Sequence, residues 1–301
     1  MVTVIGGTGF IGRHVIGRLL ADGRQVRCTV RKDADAEHMR REGAEPVKAD
    51  IMDHASLAAA MKGSEAAVNL VGIIRENPGK GITFDRMHRL AVENFVAAAE
   101  SAGVERLVHM SALGTRPDAE SDYHKTKYLG EQEVIGSGIP YVIFRPSAQI
   151  GVEGEFTRMM INLVARAPVL PVFGSGLYKM QPMDVDDTAK LFSAAVDNPA
   201  AANGVYDVGG PEEMTYLELL DAFAQALGVR RPKLKIPIPL ADIMVSAMGI
   251  LPNPPITRAQ YIMLQEGSIC DNSRVLRDFP GISLGSVRPI LERAAGAFRA
   301  G

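Results

Sequence analysis

A doubly wound α/β fold, with helices on both faces of a parallel sheet and a smaller, mostly helical C-terminal cap, is predicted by three features of this 301-residue sequence. Short β-branched runs alternate with helical patterns through the first half, which is the rhythm of repeated βαβ units. Those runs are almost continuously apolar, as expected of strands buried on both sides. A glycine-rich turn joins the first strand to the first helix.

In order, the elements are VTVI at 2–5 and a helix over 9–22, QVRCTV at 25–30 and a helix over 34–43, and EPVKA at 45–49 and a helix over 54–62. AAVNLVG at 66–72, a long helix around 84–102 and RLVHMS at 106–111 follow. The helix carrying YHKTK at 123–127 and the strand YVIF at 141–144 close the series. After Arg145 the pattern breaks, because prolines at 168, 171, 182, 199, 211, 232, 237, 239, 252, 254 and 255 punctuate short helices and loops. QPMDVDDTAKLFSAAV and GVYDVGG are expected to return to the sheet as a late helix and strand. The dinucleotide domain is therefore expected at 1–149 plus about 178–209, and the cap at about 150–177 plus 210–301.

The turn GGTGFIG places Gly6, Gly9 and Gly12 at G-x-x-G-x-x-G spacing, after a strand and opening a helix. Glycine permits the tight turn and lets backbone N–H groups approach a pyrophosphate, whose charge is favourable at a helix N-terminus. A Rossmann-type dinucleotide site follows. A triphosphate-binding P-loop is excluded, since no Gly-Lys-Ser/Thr follows. Arg31 and Lys32 end the second strand where an NAD-selective site usually carries an acid, so the 2'-phosphate of NADP is favoured, with NAD left open by Asp33 and Asp35 slightly later.

Composition narrows the partners. A net charge of -2 without a basic block gives no general attraction to nucleic acid. Two distant cysteines, Cys28 and Cys270, and six scattered histidines suggest neither a disulfide framework nor a metal site. No apolar run reaches the roughly 18 to 20 residues of a membrane span. The first strand starts at Val2, so a cytoplasmic location is expected.

Tyr123 and Lys127 stand four apart on a helix and so share a face. Together with GGTGFIG, KADIMD at 48–53, NLVG at 69–72, VHMSALG at 108–114 and FRPS at 144–147, they make the chain resemble the extended and atypical short-chain dehydrogenase/reductases. The later segments APVLPVFGSG, QPMDVDDTAKLF, VYDVGGPEEMTYLELL and ITRAQYIML are similar to the group containing the nucleotide-binding accessory subunit of mitochondrial complex I and its bacterial relatives.

The resemblance implies that Gly6, Thr8, Gly9, Phe10, Ile11 and Gly12 hold the pyrophosphate, that Asp50 and Ile51 flank the adenine, and that Val71 and Gly72 run beside ribose and phosphates. Pro146 and Ser147 are implied near the nicotinamide. Tyr123 is implied as the acid or base acting on the substrate oxygen, with Lys127 holding the ribose and lowering the phenol pKa, and Ser111 as their partner. The chain departs from the pattern in two places. The strand end reads Ser111-Ala112-Leu113, without a polar residue at the third position, where Thr115 is the nearest substitute, and His88 stands where extended relatives carry asparagine.

Two readings stay open: an NADP(H)-dependent oxidoreductase or epimerase/dehydratase-like enzyme for a small lipophilic carbonyl or hydroxyl compound, and a non-catalytic dinucleotide-binding structural, assembly or redox-sensing protein. Met159, Met160, Met180, Met183, Met244, Met248 and Met263 are read as core or as the lining of an adaptable pocket. The stretch PLADIMVSAMGIL at 239–251 is a candidate contact with a protein partner or a membrane surface, although it shows no flanking cationic face.

Overall fold

The computed structural model describes residues 1–248, 254 and 256–300, and these divide into two compact units. The first comprises Met1–Pro146, Val185–Val208 and Asn272–Ser283. It holds strands β1 (Val2–Ile5), β2 (Val26–Val30), β3 (Glu45–Lys48), β4 (Ala66–Asn69), β5 (Arg106–Met110), β6 (Tyr141–Pro146) and, later in the chain, β11 (Gly204–Val208). They form one parallel sheet in the order β11-β6-β5-β4-β1-β2-β3. Its helices are α1 (Phe10–Ala21), α2 (Asp33–Arg41), α3 (His54–Met61), α4 (Ala91–Ala102), α5 (Asp122–Gly136), α7 (Val185–Ala195) and α11 (Ser273–Asp278).

Alternation along the strands builds the two faces. Ile5, Ala67, Leu107 and Ile143 share a buried cluster with Leu57 and Met61 of α3, Phe95 of α4 and Val134 of α5. Phe144, the next residue along β6, points the other way and packs its ring 5.1 Å from that of Phe192 on α7. The strand order reverses between β1 and β4, and a crevice beyond the strand ends at such a point is where ligands bind in this architecture.

The second unit comprises Ser147–Asp184, Gly209–Asp271 and Leu284–Gly301. Its strand pairs are β7 (Gln149–Ile150) with β10 (Met183–Asp184), β8 (Leu170–Phe173) with β13 (Lys233–Ile236), and β9 (Lys179–Met180) with β12 (Met214–Thr215). Its helices are α6 (Glu155–Arg166), α8 (Tyr216–Leu227), α9 (Ile238–Met248), α10 (Arg258–Glu266) and α12 (Arg288–Ala300). Met160, Val164, Leu219, Phe223, Leu291 and Ala295 fill the core where α6, α8 and α12 meet. Reciprocal capping boxes, Thr215 with Glu218 and Thr257 with Gln260, start α8 and α10.

Three expectations change. Residues 147–149 and 178–184 cluster with the second unit, because β7 pairs with β10 and β9 with β12. Residues 272–283, expected in the cap, cluster with the first: Phe279 packs on Phe144 and Tyr206, and the Tyr206 hydroxyl donates to Asp278 at 3.0 Å. The long helix around 84–102 opens with a π-helical turn, Asp85–Leu90, before α4. Part of the 239–251 stretch, with the prolines at 252 and 255, lies outside the described residues.

Candidate functional site

The glycine loop is shaped by what its residues lack. A Cβ on Gly12 would come within 2.4 Å of the Gly6 carbonyl oxygen and 2.6 Å of the Gly7 Cα, both backbone atoms that cannot swing aside. Gly6 has φ +82°, a left-handed conformation suited to glycine. It lies against Leu70 and Val71, to which a Cβ would approach within 3.1 Å. The first turn of α1 follows, capped at Gly9 with no side chain satisfying its amides. Phe10, Ile11 and Gly12 therefore offer N–H groups beside exposed Gly9 and half-buried Thr8, and this glycine cradle fits a pyrophosphate.

The neighbouring strand ends converge on it. Asn69, polar in an otherwise apolar strand, accepts from Val71 N–H at 3.0 Å and meets His109 Nδ1 at 3.3 Å. Gly72 is exposed, and a Cβ there would lie 3.0 Å from the Lys127 ammonium nitrogen and 3.8 Å from His88 Nε2. Thus Gly6, Val71, Gly72 and Lys127 form a continuous series.

Helix α5 starts with Ser121, whose hydroxyl accepts from His124 N–H at 3.2 Å. Gly130 lets α5 pack on the π-helical turn, since a Cβ would fall 2.0 Å from the His88 carbonyl oxygen. Tyr123, Lys127 and Glu131 follow one another at i, i+4 and i+8, and all three are buried. Lys127 donates to the Met110 carbonyl at 3.0 Å, and burial lowers its ammonium to about 8 while Glu131 pulls it back up. Glu131 in turn is held by two bonds from Arg145, at 2.8 and 2.5 Å.

Tyr123 packs edge-on against Phe84 and His88, with centroids 5.7 and 5.1 Å away. Burial pushes its phenol up to about 12. The lowering expected from Lys127 is not what this arrangement produces. The ammonium is tied to Met110, and its charge is felt by His88 and His109, which desolvation and then that charge depress to about 2 and 3.

His88 Nδ1 meets Thr126 Oγ1 at 3.1 Å, while its Nε2 accepts from Ile73 N–H at 3.2 Å. The Thr126 hydroxyl lies 2.7 Å from the Asp122 carbonyl. A neutral imidazole satisfies this ladder. Ser111 is buried, and its hydroxyl donates to Thr115 at 3.3 Å.

The remaining predicted residues sit at other strand ends. Exposed Arg31 and Lys32 follow β2, with Lys32 as the N-cap of α2. Asp50 accepts from Met52 N–H at 2.9 Å, and the carbonyl of neighbouring Ile51 accepts from Asn94. Pro146 ends β6. Ser147 opens the second unit, where its hydroxyl meets that of Ser268 at 3.0 Å.

Sequence reasoning passed over Glu131, Arg145, Asn69 and His109. The i+4 step from Lys127 to Glu131 was the available signal for one, and the lone polar residue in AAVN for another. The methionines divide: Met160, Met180 and Met183 are buried, Met248 and Met263 half-buried and Met159 and Met244 exposed, and a second-unit pocket of about 380 Å³ is lined instead by Phe173, Gly174, Ser175, Leu177, Tyr178, Ile238 and Gln265. Among the described residues, no group of three or more His, Cys, Asp or Glu is placed to hold a metal, and no helix is long and apolar enough to cross a membrane.

With this geometry in view, residues 6–155 match a family described as NAD(P)H-binding. The chain is 29% identical over 295 residues to the NADH dehydrogenase (ubiquinone) 1 alpha subcomplex subunit 9, mitochondrial, of Arabidopsis thaliana, covering 92% of this chain and 73% of that relative. A ceramide reductase of Caulobacter vibrioides is 29% identical over 258 residues, with 85% and 80% covered. A (4-alkanoyl-5-oxo-2,5-dihydrofuran-3-yl)methyl phosphate reductase of Streptomyces griseus subsp. griseus is 31% identical over 234 residues, with 76% and 74% covered. Among solved structures, an Escherichia coli NADPH-dependent quinone oxidoreductase complexed with NADPH shares the fold, with a TM-score of 0.77 at 19% identity over 99% of this chain and 100% of the other.

Proposed function

The chain belongs to the NAD(P)H-binding atypical short-chain dehydrogenase/reductase family, and from that premise we propose that it is an NADPH-dependent reductase of a small lipophilic carbonyl compound. The observation that carries this reading is the pair on α5: a buried phenol and a buried ammonium one turn apart, the latter anchored on the Met110 carbonyl. In the first unit, Gly6, Thr8, Gly9, Phe10, Ile11 and Gly12 would hold the pyrophosphate, and Arg31 with Lys32 the 2'-phosphate. Asp50 and Ile51 would flank the adenine, and Val71, Gly72 and Lys127 would border the ribose. When bound, NADPH supplies the hydride.

The chain's own part is to hold and give a proton. A phenol pushed up to about 12 stays protonated across the neutral range, so Tyr123 is equipped to donate to a developing alkoxide rather than to take a proton from an alcohol. That favours the reductive direction. Lys127, at about 8, is mostly charged at neutral pH and is positioned to donate to a hydroxyl acceptor. Packing by Phe84 and His88 keeps water from the Tyr123 ring. The lipophilic substrate class is supported by the ceramide reductase relative.

One observation favours the non-catalytic reading. No polar side chain stands at the third position of Ser111-Ala112-Leu113, and the Ser111 hydroxyl is spent on Thr115. The relative named as a subunit of NADH dehydrogenase supports a role within a larger assembly. Stopped-flow release of NADPH, combined with NADPH oxidation over a panel of quinones and long-chain ketones, separates the two. Release within seconds and turnover abolished by Tyr123→Phe support the reductase. Release over hours, or turnover that survives this change, overturns it.

A further inference from the structure

Helix α9 packs through Ala241 and Val245, both buried against Phe173, Ile236 and Tyr261. The surface opposite such a packed face is ordinarily polar. Here it is not. Leu240, Ile243, Met244 and Ala247 follow an i, i+3, i+4, i+7 spacing that gathers them into one stripe directed away from the packed face. Leu240 is 50% exposed and Ile243 68%. Asp242 and Ser246 take the flank. Ile238, which opens α9, and Leu177 are also exposed and line an adjoining pocket.

One cation reaches this helix through the fold, and another precedes it in the chain. Exposed Lys235 stands just ahead of α9, and α10 brings the Arg258 guanidinium to 3.4 Å from the Ser246 hydroxyl on the helix flank. The sequence alone showed no cationic face because Arg258 is twelve positions from Ser246 and arrives through the fold.

We propose that this face of the second unit binds the surface of an anionic lipid bilayer, with Leu240, Ile243 and Met244 at the acyl-chain boundary and Lys235 and Arg258 among the phosphates. The mixture argues for an anionic bilayer: Leu240, Ile243 and Met244 are exposed along one helix, and Arg258 stands at its flank. An interfacial helix needs only an apolar stripe at headgroup depth with basic residues beside it. This inference does not depend on the reductase reading.

The chain contains no tryptophan, so Ile243→Trp makes a single fluorescent reporter. The full chain is mixed with phosphatidylcholine vesicles containing roughly 30% phosphatidylglycerol, in about 0.05 M NaCl. The expected result is a blue-shifted emission and co-flotation with the vesicles. Ile243→Asp or Leu240→Ser weakens partitioning on the order of tenfold. Raising the salt to about 0.5 M, or combining Lys235→Glu with Arg258→Glu, weakens it further. Ile135→Asp, at an exposed apolar position on α5, leaves flotation unchanged. Thermal unfolding of each variant checks that it is folded. Absence of flotation, flotation indifferent to Ile243→Asp, or equal binding to pure phosphatidylcholine overturns the proposal. So does a dimer in sedimentation that Ile243→Asp dissociates without any vesicle binding, which assigns the face to a second copy.

Discussion

The glycine loop and helix α5 build the two ends of the candidate site by opposite means. At the loop, the geometry rests on missing atoms: Gly12 sits where any Cβ would meet two backbone segments, and nothing nearby can yield. At α5, it rests on buried polar groups, each held by a partner, as Lys127 is by Met110, Glu131 by Arg145 and His88 by Thr126 and Ile73. The contrast teaches that the loop's tolerance is set by sterics and α5's by desolvation. Substitutions at the two ends should therefore fail differently.

The largest separation is expected at Tyr123. Tyr123→Phe removes the proton donor while keeping the ring against Phe84 and His88, so turnover falls on the order of a thousandfold with NADPH affinity within a few-fold. Gly12→Ala is expected to do the reverse. Backbone must move to accept the methyl group, costing about 3 kcal/mol in denaturant stability and on the order of a hundredfold in NADPH affinity. Isothermal titration of both variants measures the split. Equal losses of affinity would erase the distinction between the two ends.

The desolvated end should also carry a pH signature that the loop lacks. His88 and His109 are depressed to about 2 and 3 from an ordinary 6.5, so between those values the unfolded chain binds more protons than the folded one. Their contribution is present above about pH 6.5 and is lost as the pH falls. Urea unfolding at about pH 7 and 5.5 should differ by roughly 2 to 3 kcal/mol, and His109→Gln should remove about half of that difference. A flat profile would mean that the imidazoles are more accessible to water than their burial implies.

The same contrast explains what could be read in advance. Gly6, Gly9 and Gly12 at fixed spacing between strand and helix state a steric requirement directly in one dimension, and the βαβ rhythm likewise fixes the sheet. The partners on α5 are set by three-dimensional placement. Nothing in Met110 announces that its carbonyl receives Lys127, because every residue has a carbonyl. The π-helical turn at Asp85–Leu90 was hidden because its residues are ordinary helix formers, and the turn is tied to His88, whose imidazole bonds Ile73 and Thr126. Segment 272–283 was misassigned because its attachment rests on a few long-range contacts, Phe279 on Phe144 and Asp278 with Tyr206, that composition does not encode.

The smallest expected effect concerns selectivity at the loop's outer rim. Arg31 and Lys32 are exposed beyond β2, where water and salt screen their charge, so each can add only modestly to phosphate binding. Neither is needed to shape the fold, since Lys32 caps α2 without a side-chain bond. Replacing both with alanine should lower NADPH affinity about tenfold while leaving NADH affinity within about twofold, because only NADPH carries the 2'-phosphate. The NADPH loss should shrink in about 0.5 M salt, as screening predicts for exposed charges. If NADH affinity falls equally, the two cations act on the shared pyrophosphate, and the rim then works as the glycine cradle does, on the backbone of the ligand rather than on its identity.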